Sequence, residues 1–325
     1  MIEVIYNKET GNIHGFNRII SNSNPSQIFV DGETETAVIN KIITNIHEIP
    51  NLKLVEEGYP IMILEEPDID YPYYLSVVSV IRDENEYLEE WIRYHIEEMG
   101  VDHFYIYDNE SKVPILQYLK ERNFGYLNRC TIIRYPTTEW VQQDSHNDFL
   151  RRYKDHTKWM ISMDPDEYIV LKDNRLTLKK FLEKHKDYAK IFCPWKFYNA
   201  NGQVHKTEGT DFQRFTNAIN YREDSSDAKA FSQTHYIVEF RSHTACLEVN
   251  VPIATSKSCP EITIDAIQLN HYYTRSYEEW MEKMKRGSCH PGCLKRYSEF
   301  FILNPDMKDL DNGFDIIQKY CPDTN

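Results

Sequence analysis

The sequence predicts an α/β fold built on an open, parallel β-sheet flanked by helices. Short apolar runs, which are typical of buried parallel strands, alternate with segments whose apolar residues recur at helical spacing. The predicted strands are residues 75–81, 104–107, 131–135 and 159–163, and the predicted helices are residues 88–99, 115–122, 142–155 and 178–185. Alternation of this length favours a parallel sheet with right-handed connections.

Three polar clusters follow predicted strands of this sheet, at residues 82–86, 108–111 and 164–167. Ligands of open α/β sheets bind at the carboxyl ends of strands, so we expect the three clusters to converge. In the third cluster, alternation along an extended chain places Asp164 and Asp166 on the same side. Two carboxylates in that position suit Mg²⁺ or Mn²⁺, and the alternative is a solvated acidic turn.

The composition narrows the possible functions. With 325 residues, of which 41% are hydrophobic, the chain can bury a sizeable core. A net charge of −14 argues against a nucleic-acid-binding protein and against a polybasic membrane-surface protein. We find no secretion signal at Met1 and no apolar run of the length that a membrane span needs. We therefore expect a cytoplasmic protein.

The seven cysteines are odd in number and spread widely, which does not indicate a disulfide framework. Cys289 and Cys293, with His290 between them, could suggest zinc. No second pair follows at ligand spacing, so we expect no structural zinc site there.

Residues 1–70 differ from the rest of the chain. Short alternating runs separated by turn residues predict a hairpin over residues 2–16 and further strands at 27–30, 52–55 and 61–64. We interpret residues 1–70 as a small β-rich accessory module, open to a partner or to self-association, and residues 71–325 as the main domain.

The second half of the main domain continues the pattern. Residues 191–197 and 262–269 are predicted strands, and the charged stretch 205–227 is a predicted loop over the site. Asp83 with Glu86 resembles a capping pair for the first helix, and Ser276 with Glu279 forms a capping box for a later one.

His271 lies after the predicted strand 262–269 and before the helix that Ser276 begins. A phosphate can bind at a helix N-terminus, and a neutral imidazole can ligate a metal. We therefore consider His271 a metal or diphosphate ligand, and the alternative is a histidine that packs beneath the helix.

Several motifs resemble glycosyltransferase family 92 and its family 2-like relatives. They are residues 82–95 (RDENEYLEEWIRYH), 100–111 (GVDHFYIYDNES), 158–168 (KWMISMDPDEY) and 270–276 (NHYYTRS), in that order. The resemblance spans about residues 75–290. It departs from the family at 82–86, where the usual Lys-Asn-Glu is Arg-Asp-Glu-Asn-Glu, and at 109–112.

This resemblance implies a GT-A-like fold with an open mixed, mostly parallel sheet. It also implies a metal-dependent transfer of a sugar from a nucleoside diphosphate, with UDP favoured, to a hydroxyl of a glycan or glycoconjugate. Mn²⁺ or Mg²⁺ on Asp164 and Asp166 would neutralise the leaving diphosphate. The resemblance favours inversion, which requires a carboxylate base, and both Asp211 and Glu208 are candidates.

The remaining candidate site residues follow from the same resemblance. Nucleotide contacts are expected from Arg82, Glu84, Asp108, Asp164, Lys229, Lys283 and Arg286, and substrate contacts from Trp195 and His243. For Trp195 the alternative is a core position, since large aromatic side chains dominate burial.

Two other functions remain open. Acid clusters also hold the two-metal sites of phosphoester hydrolases, although those sites require more acids or histidines on neighbouring strand ends. A non-catalytic protein that binds a glycan or another partner could have the same fold.

Overall fold

The structure is a computed structural model. It describes residues 68–220, 229–241, 244–248, 251–255, 262–287 and 297–310 in full, and the backbone of five short strands nearer the N-terminus. The chain divides into two compact units. The first comprises residues 1–68, 187–189 and 248–252, and the second comprises 69–186, 190–247 and 253–325.

The first unit contains the five short strands. They are β1 (Ile2–Asn7), β2 (Ile13–Arg18), β3 (Thr34–Val38), β4 (Leu52–Leu54) and β5 (Pro60–Met62). Strand β1 pairs with β2 and with β3 in one antiparallel sheet, and β4 pairs with β5. The predicted hairpin over residues 2–16 is therefore present, while the predicted strand at 27–30 lies outside the described residues.

The second unit contains thirteen described strands and seven described helices. The strands are β6 (Tyr73–Ile81), β7 (His103–Asp108), β8 (Cys130–Arg134), β9 (Thr157–Ser162), β10 (Glu167–Leu171), β11 (Lys190–Cys193), β12 (Trp195–Tyr198), β13 (Ala218–Ile219), β14 (Lys229–Gln233), β15 (Ile237–Arg241), β16 (Thr244–Leu247), β17 (Ile253–Ala254) and β18 (Ile267–His271). The helices are α1 (Asn85–Glu97), α2 (Ile115–Glu121), α3 (Val141–Tyr153), α4 (Leu178–Lys184), α5 (Asp211–Arg214), α6 (Tyr277–Arg286) and α7 (Tyr297–Leu303). None of these helices is long and apolar enough to cross a bilayer.

Seven strands form the main sheet, in the order β17-β11-β14-β9-β6-β7-β8. Strands β8, β7, β6 and β9 are parallel to one another, whereas β14 is antiparallel to both β9 and β11. The predicted α/β fold with an open, mixed but mostly parallel sheet is therefore confirmed. A second sheet of four strands has the order β10-β18-β12-β13.

The core follows from the alternation of side chains along β6 and β7. Tyr105 and Tyr107 on β7 pack with Phe149 of α3 on one face of the sheet. Phe104 packs against Trp91 of α1 on the other face, with ring centroids 5.2 Å apart. Both faces are covered by helices, which explains why every residue of β7 is buried.

The predicted strand at 191–197 is wrong as a single element. Pro194, which has no backbone N–H to donate, divides it into β11 in the larger sheet and β12 in the smaller one. The predicted strand at 262–269 is also wrong in its first half. Residues 263–266 form a turn in which the backbone N–H groups of Ala266 and Ile267 both donate to the Thr263 carbonyl at 3.0 Å.

The helix caps were predicted correctly only for α6, where Ser276 and Glu279 form the expected capping box. Helix α1 begins after Glu84 without a side-chain cap. Asp83 lies just outside that helix, with φ of 52°, and its Oδ1 accepts a hydrogen bond from the Lys112 N–H at 2.7 Å. The predicted loop at 205–227 contains α5 and β13 in its described part.

Candidate active site

The acidic motif forms the turn between β9 and β10. The Glu167 N–H donates to the Asp164 carbonyl at 3.0 Å, and the Asp164 N–H donates to Glu167 Oε2 at 2.9 Å. Because β9 ends at Ser162, the alternation that predicted Asp164 and Asp166 on one side does not apply in this turn. The Asp164 side chain is 42% exposed, whereas that of Asp166 is 8% exposed.

His271 comes to this turn through strand pairing, because it lies opposite Glu167 in the antiparallel pair β10 and β18. Its Nε2 atom is 3.6 Å from Asp166 Oδ1, and its Nδ1 atom is 4.0 Å from Glu167 Oε1. Asp166 Oδ1 and His271 Nδ1 are both buried and have no hydrogen-bond partner among the described residues. His271 is thus close to the acidic motif. It is the last residue of β18, whereas the sequence placed it after that strand.

Two lysines, Lys229 buried and Lys283 half-buried, neutralise the carboxylates of the turn. Lys229, at the start of β14, donates to Asp164 Oδ2 at 3.1 Å and lies 3.5 Å from Glu167 Oε2. Lys283, on α6, donates to Asp166 Oδ2 and to the Tyr273 carbonyl. Both positive charges therefore stand where an anionic diphosphate could bind.

The pKa values of these groups reflect burial and the neighbouring charges. Burial alone would raise the pKa of the Asp166 carboxyl, but Lys283 and His271 hold it well below its usual range. Burial raises the pKa of Glu167, and Lys229 only partly opposes this increase. Burial would lower the pKa of Lys229, but Asp164 and Glu167 raise it. Asp166 is therefore a carboxylate, and Lys229 is an ammonium ion, near neutral pH.

Arg275 connects the acidic turn to the loop after β6. It donates from Nη1 to Glu84 Oε2 at 3.0 Å, from Nη2 to the Pro165 carbonyl at 3.1 Å, and from Nε to Asp211 Oδ2 at 3.0 Å. Arg286 binds the other oxygen of Glu84 and the Asp83 carbonyl. The loops after β6 and β9 therefore converge, as predicted.

Asp108 is brought to the same edge of the sheet, but its oxygens are already engaged. Oδ1 accepts from the Ser111 N–H at 2.9 Å, and Oδ2 accepts from the Ile115 N–H at 3.1 Å and from Arg134 at 2.8 Å. In this arrangement Asp108 shapes the loop before α2. Arg82 is exposed at the end of β6, where its side chain is accessible to a ligand.

The two candidate bases, Asp211 and Glu208, both line a cavity of about 560 Å³. Asp211 is buried and bound to Arg275; burial raises its pKa, and Arg275 opposes the increase. Glu208 is exposed. Five further carboxylates line the cavity, those of Glu86, Glu90, Glu278, Glu279 and Glu282.

Trp195 is half-buried beside His271, with ring centroids 5.3 Å apart, and its Nε1 donates to Glu167 Oε1 at 2.8 Å. Trp195 therefore packs directly against the acidic turn and His271. His243 and the segment from Cys289 to Cys293 lie outside the described residues.

In the described part of the chain, no group of three or more His, Cys, Asp or Glu side chains forms a complete metal site. Asp166 and His271 nevertheless fit a divalent cation, because a buried carboxylate oxygen normally accepts a hydrogen bond and Asp166 Oδ1 accepts none from these residues. Mn²⁺ and Mg²⁺ commonly bind through one or two carboxylates and complete their coordination with substrate phosphates and water. Asp166 and His271 therefore provide the buried part of a cation site, which a further carboxylate and a diphosphate could complete.

Three residues of the site were not assigned a role from the sequence. Glu167 and Arg275 lie inside the motifs at 158–168 and 270–276, and Tyr87 lies in the motif at 82–95. Their positions inside these motifs could have indicated that they belong to the site. Their hydrogen-bond partners could not be predicted from the sequence, because each contact joins residues about 30 to 200 positions apart.

The chain belongs to glycosyltransferase family 92, whose family model matches residues 73–295, more than half of its length. A search of curated proteins finds no significant match.

Two solved structures of TarS 1–349 from S. aureus are similar to this chain. The structure in complex with UDP has 16% identity and a TM-score of 0.34, and the alignment covers 50% of this chain and 47% of that one. The second has 12% identity and a TM-score of 0.38, with coverage of 66% and 64%. The chain thus spans less than two thirds of either TarS chain.

Proposed function

We propose that the protein is a metal-dependent glycosyltransferase that moves a sugar from a nucleoside-diphosphate sugar to a hydroxyl of a glycan or glycoconjugate. We propose UDP as the nucleotide. The family supports glycosyl transfer itself. The observation that supports metal dependence is the Asp166–His271 pair, whose buried oxygen has no hydrogen-bond partner among the described residues, beside Lys229 and Lys283.

In this proposal Asp164, Asp166 and His271 hold the cation, which supplies Lewis-acid stabilisation of the leaving diphosphate. Lys229, Lys283 and Arg286 provide further positive charge for the two phosphates. Each of these three cations now pairs with a carboxylate of Asp164, Asp166 or Glu84. Charged hydrogen bonds to phosphate oxygens can replace those pairs when the donor binds.

Arg82 and Glu84 are proposed to contact the nucleotide from the loop after β6. Asp108 has no oxygen without a partner, so we propose that it supports this region by holding the adjoining loop. Trp195 is proposed to face the acceptor, because it is half-buried at the edge of the site.

We propose that the transfer inverts the anomeric centre and that Glu208 is the base. A base must approach the acceptor hydroxyl, and the Glu208 carboxylate is exposed at the cavity. Asp211 is less suitable, since both guanidinium nitrogens Nε and Nη2 of Arg275 lie 3.0 Å from its Oδ2.

Residues 1–70 are proposed to be an accessory module that is separate from the chemistry and available for a partner or for self-association. Comparison of the oligomeric state of the full chain with that of a chain shortened to residues 71–325 tests this proposal. A shortened chain that folds but does not bind nucleotide would contradict the separation. A cytoplasmic location is part of the same proposal and is tested by cell fractionation.

The most direct experiment is a screen of nucleotide sugars for donor hydrolysis by the purified full chain, with Mn²⁺ and with EDTA. We expect release of UDP only when the divalent cation is present. Thermal shifts with UDP and GDP, each with and without Mn²⁺, separate nucleotide choice from metal dependence. Metal-independent turnover would contradict the metal role, and preferential stabilisation by GDP would contradict the choice of UDP.

Asp166→Asn is the matched variant for this screen, because it keeps the side-chain volume and removes the charge that a cation needs. Hydrolysis of simple phosphomonoesters by the wild-type protein, with no turnover of nucleotide sugars, would instead support a hydrolase.

A further inference from the structure

Arg275 is one of the most constrained residues of the site. It is 5% exposed, its φ is 52°, and its guanidinium carbon Cζ lies over the Tyr87 ring, 3.5 Å from the ring centroid. Non-glycine residues rarely adopt this backbone conformation and keep it where the surrounding structure requires it. The side chain and the backbone of Arg275 are therefore both held in one arrangement.

The three groups that Arg275 binds come from three separate segments. Glu84 precedes α1, Pro165 lies between the two aspartates of the acidic turn, and Asp211 begins α5. The bond to the Pro165 carbonyl is the informative one, because that carbonyl belongs to the peptide unit that leads into Asp166. Arg275 thus bonds to the peptide unit on the N-terminal side of Asp166.

A second contact from the same segment acts on the same residue. The Tyr272 N–H donates to the Asp166 carbonyl at 2.9 Å. Residues 272–275 therefore hold the peptide units on both sides of Asp166. The Asp166 carboxylate, 3.6 Å from His271, depends on this arrangement for its position.

A neighbouring arginine provides a comparison. Arg214 is also 5% exposed, and it binds both carboxylate oxygens of Glu279, but none of its described contacts reaches the acidic turn. Burial and pairing with carboxylates are thus shared by Arg214 and Arg275, whereas the bond to the acidic turn is specific to Arg275.

We infer that Arg275 is a positioning residue for the proposed metal and diphosphate site. It holds the Asp166 carboxylate beside His271 through the Pro165 carbonyl. The inference rests on the proposed function only for the identity of the ligands. It extends that proposal because the affinity of the site for Mn²⁺ and nucleotide depends on Arg275, a residue that contacts neither ligand.

The test uses Arg275→Lys in the full chain, with Arg214→Lys as the matched control. Lysine keeps the charge but cannot reproduce the planar fork that reaches three acceptors at once. We expect Arg275→Lys to weaken Mn²⁺-dependent UDP binding, measured by calorimetry, by about 10- to 100-fold, as for other residues that orient metal ligands. Arg214→Lys should lower the melting temperature of the protein and leave its Mn²⁺-dependent affinity for UDP unchanged.

A second measurement does not depend on nucleotide binding. In histidine-labelled protein, the ring signals of His271 can be assigned by their absence in His271→Gln. If Arg275 positions Asp166, these signals shift in Arg275→Lys and stay in place in Arg214→Lys. Unchanged His271 signals, or equal UDP affinity in Arg275→Lys and the wild type, would overturn the inference.

The two proposals fail in different ways. A wild-type protein that shows no Mn²⁺-dependent UDP binding contradicts the proposed function, and the His271 signals still decide the role of Arg275. If Arg275→Lys binds UDP as tightly as the wild-type protein does, only the positioning role is contradicted.

Discussion

Lys283 on α6 donates a hydrogen bond to Oδ2 of Asp166, a residue 117 positions earlier in the chain. The proposed cation would share this carboxylate with the ammonium group. The charge of Lys283 would therefore repel a cation that binds alone, and it would attract the anionic diphosphate that accompanies the cation. In the proposed site, metal binding and nucleotide binding would thus depend on each other.

The first prediction concerns Lys283→Met. Without nucleotide, the variant should bind Mn²⁺ more tightly than the wild type, because the competing ammonium is gone. With UDP present, the variant should bind Mn²⁺ more weakly than the wild type, because the diphosphate has lost the ammonium group of Lys283 as a partner. Lys285→Met is the control, since Lys285 is exposed on the same helix. Titration of Mn²⁺ by paramagnetic resonance measures both affinities, and weaker Mn²⁺ binding without nucleotide would contradict the competition.

The second prediction concerns a double-mutant cycle on Asp166 and His271. Asp166→Asn and His271→Gln should each weaken Mn²⁺-dependent UDP binding, and the double variant should lose less than the sum. Residues that share one ligand couple by about 1–3 kcal/mol. Calorimetry of the four proteins gives the coupling energy. Additive losses, with equal loss of thermal stability in the presence and absence of Mn²⁺, would show that His271 only packs in place.

The third prediction separates the two candidate bases. Glu208→Gln should lower kcat by about 10²- to 10⁴-fold, the usual contribution of a general base, with no change in thermal stability because Glu208 is exposed. Asp211→Asn should instead destabilise the protein by about 1.5–3 kcal/mol, because it removes one of the two carboxylates that pair with Arg275, the other being that of Glu84. Glu282→Gln is the control on the same cavity. A full loss of turnover in a stable Asp211→Asn would reverse the assignment.

The fourth prediction concerns acid stability through Glu279. Hydrogen bonds from Arg214, Ser276 and Tyr87 outweigh the effect of burial and lower the pKa of this carboxyl from 4.5 to about 2. Since the folded pKa is the lower one, Glu279 stabilises the fold above about pH 4.5, and this contribution is lost as the pH falls toward 2.

Glu279→Gln should therefore cost about 3 kcal/mol at neutral pH and should flatten the dependence of stability on pH below pH 4.5. Urea unfolding across this pH range measures both effects. Glu278→Gln is the control, because its side chain is 50% exposed and exposed ion pairs contribute little. An unchanged pH profile in Glu279→Gln would contradict the assignment.

The sequence predicted the four parallel strands of the larger sheet, β6, β7, β8 and β9, because each is a continuous apolar run. It did not predict β14 or β17 of the same sheet. It predicted the capping box at Ser276 because that signal is local. It did not predict the break at Pro194, since the apolar pattern continues across the proline. It also misplaced the start of β18, because the alternation at 262–264 occurs in a segment that the Thr263 carbonyl closes into a turn.

The sequence predicted that His271 would lie beside the acidic motif, and its Nε2 atom is 3.6 Å from Asp166 Oδ1. The roles of these residues in binding a cation or a diphosphate stay predictions. Arg275 could not be assigned, because a buried arginine is recognised by its acceptors, and these lie 64, 110 and 191 positions away. The engagement of Asp108 was hidden only in part, since Ser111 and Ile115 lie 3 and 7 positions away along the chain, whereas Arg134 lies 26 positions away.

The chain passes twice from the larger sheet to the smaller one beside the site, at the acidic turn and at Pro194. Lys229 belongs to the larger sheet, and His271 to the smaller one. A donor and cation held by both residues would therefore act as a cross-link between two layers. Because such coupling is reciprocal, any change in the packing of the layers would alter the affinity for the donor. Core residues distant from every ligand would in this way tune the enzyme.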